Sequence, residues 1–291
     1  MQQKSRAVPM VIACIIVAVA LVALVCLWSA PRQSADSWVN DYNAQLSSGS
    51  AGSGESFSQQ ELDLSGVNKL VISARNAHVR VAADGEGSFF EANQPIWQVE
   101  RRDDRLNLRT RGHDSWLSNE DEGEIVVHLP ASYAQQLKVE TASGNIDLAG
   151  MKLSELEVDT ASGGVKVSAA TARQIDVESV SGGVRVESCV ADQLECASTS
   201  GQLRLSGCVV SGQTELSTVS GGIRLELVGQ GSGVEIETVS GATVLDVTSG
   251  AAYRLERVET ISGSVNGRQS AGENGTPIRF ESVSGSLDIQ S

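Results

Sequence analysis

Val177-Glu178-Ser179-Val180-Ser181-Gly182-Gly183-Val184-Arg185-Val186 returns nineteen residues later as Cys196-Ala197-Ser198-Thr199-Ser200-Gly201-Gln202-Leu203-Arg204-Leu205, and this echo decides the fold. The same unit recurs eight times. Its Ser-Gly pairs are Ser143-Gly144, Ser162-Gly163, Ser181-Gly182, Ser200-Gly201, Ser220-Gly221, Ser240-Gly241, Ser262-Gly263 and Ser284-Gly285, in steps of 19, 19, 19, 20, 20, 22 and 22 residues. A fixed period near 20 means one supersecondary unit stacked on copies of itself.

Aligning on each serine separates inside from outside. The residue four before it is Val139, Val158, Val177, Cys196, Leu216, Ile236, Val258 or Phe280; three after it come Ile146, Val165, Val184, Leu203, Ile223, Thr243, Val265 and Leu287. Apolar residues thus alternate with polar ones on both sides of the Ser-Gly pair, the period of a strand rather than of a helix. Each unit reads as two short strands meeting at a corner where glycine takes a positive φ. The column two before the serine (Thr141, Thr160, Ser179, Ser198, Thr218, Thr238, Thr260, Ser282) also points inward, its hydroxyls expected to bond neighbours or the corner backbone. The expected fold is therefore all-β: a single-chain β-solenoid (β-helix) of about eight regular rungs, roughly 40 Å long at ~4.8 Å per rung. An N-terminal β-cap and one transmembrane helix precede it.

That helix is the apolar run from Ala7 to Trp28, 22 residues, or ~33 Å of helix against a ~30 Å hydrocarbon core. Lys4 and Arg6 precede it, which places the N-terminus in the cytoplasm and the bulk of the chain outside. A signal peptide cut after Ala30 is the competing reading. Residues 29–58 form a Ser/Gly-rich spacer, with Trp38 and Tyr42 near the membrane interface. The expected layout is 1–6 cytoplasmic, 7–28 anchor, 29–58 spacer, 59–135 cap or irregular coils and 136–291 repeats. Cap strands are expected at Lys69 to Ser73, His78 to Ala82, Trp97 to Arg101, Leu106 to Arg109 and Ile125 to Leu129.

The chain carries a net charge of −14; beyond residue 32 only 19 of the 22 basic residues remain against all 36 acids, or −17. So acidic an exterior argues against nucleic acid and anionic lipid, and suits cationic partners, divalent ions or solubility alone. Much of the charge is stacked. Five before each serine stand Glu157, Asp176, Glu195, Glu215 and Glu235; three before stand Glu140, Asp159 and Glu178, resuming at Glu237, Glu259 and Glu281. Four after the serine, Lys166, Arg185, Arg204 and Arg224 form a basic column. Like charges ~4.8 Å apart repel by ~0.9 kcal/mol even in water, so the acidic column wants cations. The basic column on an adjoining face, calcium and a cationic peptide are the three sources, calcium being disfavoured because a flat column offers few converging oxygens.

Cys189 and Cys208 both lie eight residues after their serine and are expected to be neighbours at ~5 Å, a candidate disulfide outside the membrane, with buried free thiols the alternative. Cys196 reads as core. His78, His113 and His128 follow no metal-ligand spacing, and no nucleophile elbow, phosphate loop or paired-Cys motif is present. No catalytic, cofactor or metal residue is assigned, and an enzyme, including a polysaccharide-active β-helix, is disfavoured. Phe89, Phe90, Trp97 and Trp116, near Arg101, Arg102 and Arg105, are the candidate ligand patch of the cap. The Ser284 rung is last in sequence. Read as an open end, it exposes Leu287 and Ile289 and suggests a homo-oligomer stacked end to end through the C-terminal rung.

One resemblance adds to this. An opening segment Leu62-Asp63-Leu64-Ser65-Gly66-Val67, read as a strand, precedes Val79-Arg80-Val81 and a strand ending at Pro130. Then come Leu137-Lys138-Val139-Glu140-Thr141-Ala142-Ser143-Gly144-Asn145-Ile146-Asp147-Leu148 and the Ser-Gly-Gly-Val repeats. Over about residues 60–291 the chain resembles the bacterial β-strand-repeat family labelled "putative adhesin", a domain of unknown function. The resemblance implies an envelope-exposed solenoid, often membrane-tethered and in places linked to envelope stress. An envelope component and a cationic peptide or protein are the partners expected.

Overall fold

The computed structural model describes residues 58–85, 87–94, 97–110, 123–228, 231–267 and 274–290. The anchor expected at 7–28, the spacer up to residue 57, His113 and Trp116 lie outside these. Among the described residues no helix is long and apolar enough to cross a membrane.

Two sheets of parallel strands face each other. Each coil gives one strand to a long-stranded sheet, turns at its Ser-Gly corner, and gives the next strand to a short-stranded sheet. The Ser181 coil, for example, runs Thr171–Ser179 and then Val184–Glu187. Stacking is in register: Val158, Val177, Cys196, Leu216, Ile236 and Phe280 follow one another across the long-stranded sheet. Ile146, Val165, Val184, Leu203 and Ile223 do the same opposite. All are buried, and together they fill the core between the sheets.

The corner departs from expectation in its cause. None of the eight corner glycines has a positive φ. Glycine is needed there because coils touch: a Cβ on Gly182 would sit 1.7 Å from the Gly163 carbonyl oxygen, and one on Gly201 would sit 1.9 Å from that of Gly182. The inward hydroxyls cap the corner. Gly182 N–H donates to Ser179 Oγ at 2.9 Å, Gly201 N–H to Ser198 Oγ at 2.8 Å and Gly221 N–H to Thr218 Oγ1 at 2.9 Å. Each exposed corner serine donates to a carbonyl of the neighbouring coil, as Ser181 does to Ala161 O at 3.1 Å. Left-handed backbone appears at the opposite corner instead, at Gly150, Ala169, Ser188 and Gly207, each seven residues after its serine.

Both ends carry a topological exchange. The coil of Thr276–Ser282 and Ser286–Gln290, which holds Ser284, lies between the Ser240 coil and the Ser262 coil. The expectation of an open Ser284 rung is therefore corrected: Leu287 is 0 % exposed and Ile289 8 %. Residue chemistry explains the order. The Ser284 coil brings Ile278, Phe280, Leu287 and Ile289 to the interior slot. Apart from buried Tyr253, the Ser262 coil has half-buried Leu255, Val258, Thr260 and Val265, with Gly267 where the others are apolar. Its strand Tyr253–Thr260 carries Arg254, Glu256, Arg257 and Glu259 and a bulge between Leu255 and Arg257, which suits an edge. End-to-end stacking through the Ser284 rung has no surface to use.

At the other end, Lys69–Ala74 and Ala77–Gly85 make a coil against the Ser143 coil, and the later Arg105–Thr110 and Gly123–Pro130 lie outside it. Antiparallel strands finish this end: Trp97–Arg102 on one sheet, Phe89–Ala92 and Ser58–Glu61 on the other. The five expected cap strands are present, four of them paired in parallel like the strands of the solenoid. Leu62 to Val67 is not a strand but a turn, in which Asp63 Oδ1 accepts the Ser65 N–H at 3.0 Å and Gly66 has φ 66°.

Candidate functional site

The long-stranded sheet shows solvent a carboxylate face. Lys138, Glu157, Asp176, Glu195, Glu215, Glu235 and Arg279 form one in-register column, a cation at either end. Beside it run Glu140, Asp159 and Glu178, the row passing through Ala197 and Ser217 before Glu237 and Glu281.

Compensation is confined to the flanks. Lys138 Nζ lies 2.6 Å from Glu157, 2.9 Å from Glu140 and 2.9 Å from Asp159, and Lys69 reaches Glu157 at 3.1 Å. Burial opposes the charge on Lys138, yet its three carboxylate partners hold the ammonium well above the ordinary lysine range. Burial also works against Glu157, but Lys138 and Lys69 together keep it below the usual value. At the far flank Arg257 pairs with Glu281 at 3.1 Å.

The middle has no such help. Among the described residues no cation stands within ion-pair distance of Asp176, Glu178, Glu195, Glu215 or Glu235. Burial, then the charges of Glu195 and Glu178, pushes Asp176 up to about 7. Burial, then Asp159 and Glu195, does the same for Glu178, also to about 7. Glu215 and Glu237 are raised as well, by burial first and by neighbouring glutamates second. Asp176 Oδ1, Glu178 Oε2 and Glu237 Oε2 are buried oxygens without a hydrogen-bond partner. Such atoms want a proton or a cation.

The basic column does not adjoin this face. Lys166, Arg185, Arg204 and Arg224 are exposed on the outside of the short-stranded sheet, with the core between them and the acids. Intramolecular neutralisation by this column is therefore ruled out. Lys166 and Arg185 share Glu187 at 3.7 Å each, and Arg224 meets Asp246 at 2.7 Å. Arg204 and Arg224 line a groove of about 470 Å³ with Glu226, Asp246 and Gln290.

Other candidates disperse. Cys189 and Cys208 are buried free thiols in consecutive coils, each donating to a carbonyl at 3.4 Å, Glu187 O and Ser206 O respectively. The Cys189 contact, then burial, pushes the Cys208 thiol up, and burial does so for Cys196. His78 meets Asp147 at 2.9 Å, and His128 stacks on Phe89 with ring centroids 4.4 Å apart. Phe90 and Trp97 are core, while Arg101 pairs with Asp63 and Arg102 with Glu100, so the cap aromatics and arginines form no common patch. Among the described residues no group of three or more His, Cys, Asp or Glu side chains could hold a metal ion. Sequence reading began the column at Glu157 and missed Lys138, which stands five before Ser143 and was visible by extending the same register one rung.

These features define a class, the two-sheet parallel β-solenoid built of in-register Ser-Gly coils. The chain belongs to the Toastrack DUF4097 family, whose profile matches residues 67–282. Among solved structures it is similar to a protein of Bacteroides fragilis described as a "putative adhesin", at 14% identity and TM-score 0.51, covering 81% of this chain and 98% of that one. A "putative adhesin" of Parabacteroides merdae aligns at 14% identity over 82% of this chain and 98% of its own, with TM-score 0.47. A "putative cell adhesion protein" of Clostridium sporogenes aligns at 12% identity over 81% and 98%, with TM-score 0.31. At these identities the first shows a shared fold. No curated protein matches the chain.

Proposed function

We propose that this chain is a non-catalytic cell-envelope module: a β-solenoid held at the membrane by the Ala7–Trp28 segment and displayed outside the cell for interaction, adhesion or envelope-stress sensing. Its acidic face is the docking surface and a cationic protein or peptide the partner. The observation that carries this reading is the run Asp176, Glu195, Glu215 and Glu235, none of them ion-paired among the described residues. Family membership and the adhesion labels of the structural neighbours support it. Four in-register carboxylates with no ion-pair partner among the described residues raise the energy of the free state, and a partner that supplies positive charge lowers it.

Titration of the full chain in neutral detergent with a cationic amphipathic peptide tests this. Binding is expected at low ionic strength, to weaken with added salt, and to be lost in the Glu195→Lys/Glu215→Lys variant. Equal affinity in that variant, or no binding at low salt, would overturn it. A parallel calcium titration separates a general need for cations from peptide recognition.

A further inference from the structure

We infer that the partner built into this surface is a second copy of the chain, the acidic column of one molecule docking on the basic column of the next. The inference rests on the acidic face being a docking surface, as proposed above, and adds the occupant.

The argument begins with pitch. Asp176, Glu195, Glu215 and Glu235 recur once per coil on one outer face; Lys166, Arg185, Arg204 and Arg224 recur once per coil on the other. Both columns therefore advance by the strand spacing, ~4.8 Å. An extended peptide places same-side charges ~6.8 Å apart, two residues at ~3.4 Å each, and drifts out of register within a few contacts. A stack of parallel strands keeps register along its whole length. This chain carries such a stack of cations, and within one molecule the core keeps it from the acids it matches.

The cations are available to a partner. All four are exposed; Arg204 makes no ion pair among the described residues, Lys166 and Arg185 hold Glu187 only at 3.7 Å, and Arg224 alone is held closely, by Asp246 at 2.7 Å. Flanking columns are compatible with the match. Two residues before the acids run Gln174, Gln193 and Gln213; two residues after the cations stand Ser168, Glu187, Ser206 and Glu226. With the charged columns superposed, one of the two relative orientations sets the glutamine amides against these serines and carboxylates, Gln193 against Glu187, and an amide N–H₂ donates to either kind of oxygen. The four acids lie on the Ser181 to Ser240 coils and the four cations on the Ser162 to Ser220 coils, so full overlap with the coil axes parallel staggers the copies by one coil. The two surfaces differ, so the contact is heterologous and a dimer retains one free face of each kind, acidic on one copy and basic on the other. Growth is open-ended and lateral.

The test is sedimentation of the full chain in neutral detergent over a range of concentrations. At low ionic strength the wild type is expected to form dimers and larger species, which dissociate at about 0.5 M salt as the screening length falls to a few ångströms. Glu195→Lys/Glu215→Lys and Arg185→Glu/Arg204→Glu are each expected to be monomeric. Mixed one to one, they are expected to associate and grow again, because the two unaltered faces match and the two charge-reversed faces match each other in the same register. That rescue excludes misfolding as the cause of the single losses. A wild type monomeric at low salt that still binds the cationic peptide overturns the second copy as occupant and leaves the docking surface standing. A monomer that binds no peptide overturns both. Association untouched by either charge reversal assigns the contact to another surface, the membrane segment included, and overturns the inference.

Discussion

The two ends of the acidic ladder's first half solve the same electrostatic problem differently. Around Glu157, three carboxylates converge on Lys138 and a fourth contact comes from Lys69. One coil beyond Glu157, Asp176 and Glu178 occupy the same columns with no ion-paired cation among the described residues, and their carboxyls are held up to about 7. A stacked column therefore has two ways to limit its own repulsion. It can recruit a counter-charge, or it can retain protons, and the second leaves the protein sensitive to mild acid.

The largest expected effect breaks the compensated end. Lys138→Met strands Glu140 and Asp159 beside half-compensated Glu157 and should cost about 3 kcal/mol at pH 8, read as a lowered urea midpoint. The loss should shrink toward pH 5 as the freed carboxyls take up protons.

Next comes pH itself. For Asp176 and Glu178 the folded values lie above the unfolded ones, 3.8 and 4.5, so the folded state binds more protons between about pH 4 and 7. Stability should rise as pH falls from 8 to 5.5, by roughly 2 kcal/mol for the pair after allowing for partial exposure. Below that window the trend should reverse, because Glu157, whose folded value is depressed, loses its ion pairs as it protonates.

Glu178→Gln should move the uncompensated end toward the compensated one, gaining about 1 kcal/mol at pH 8 and almost nothing at pH 5. A destabilised variant at pH 8 would show that the Glu178 charge is satisfied after all. The smallest effect is Glu195→Gln, below about 0.5 kcal/mol for an exposed site. Its signature is a downward shift in the pH at which stability changes, since Glu195 is the leading charge acting on Asp176.

The period made the stack legible. Val177 over Val158 and Cys196 over Val177 follow from spacing alone, because identical units can only repeat by lying in register. The carboxylate column was visible for the same reason. Three things were not. The corner glycines looked like torsional devices, but their cause is a carbonyl of the neighbouring coil, a long-range contact that no local rule contains. Lys138 escaped because it breaks the sign of its own column. The Ser262 and Ser284 coils carry the same signature, so the repeat could not order them. Their apolar content could have: Phe280 and Leu287 outweigh Val258 and Gly267.

That exchange of neighbours has a consequence for how the chain is made. Translation delivers the Ser262 coil before the Ser284 coil, yet its resting place is on the far side of a segment not yet synthesised. It must wait unpaired, or pair provisionally with the Ser240 coil and then yield. Assembly at this end is thus the insertion of a late segment into a held gap rather than the addition of a last layer. Once the segment is in, fraying cannot start with it, because Ser286–Gln290 has a strand on either side.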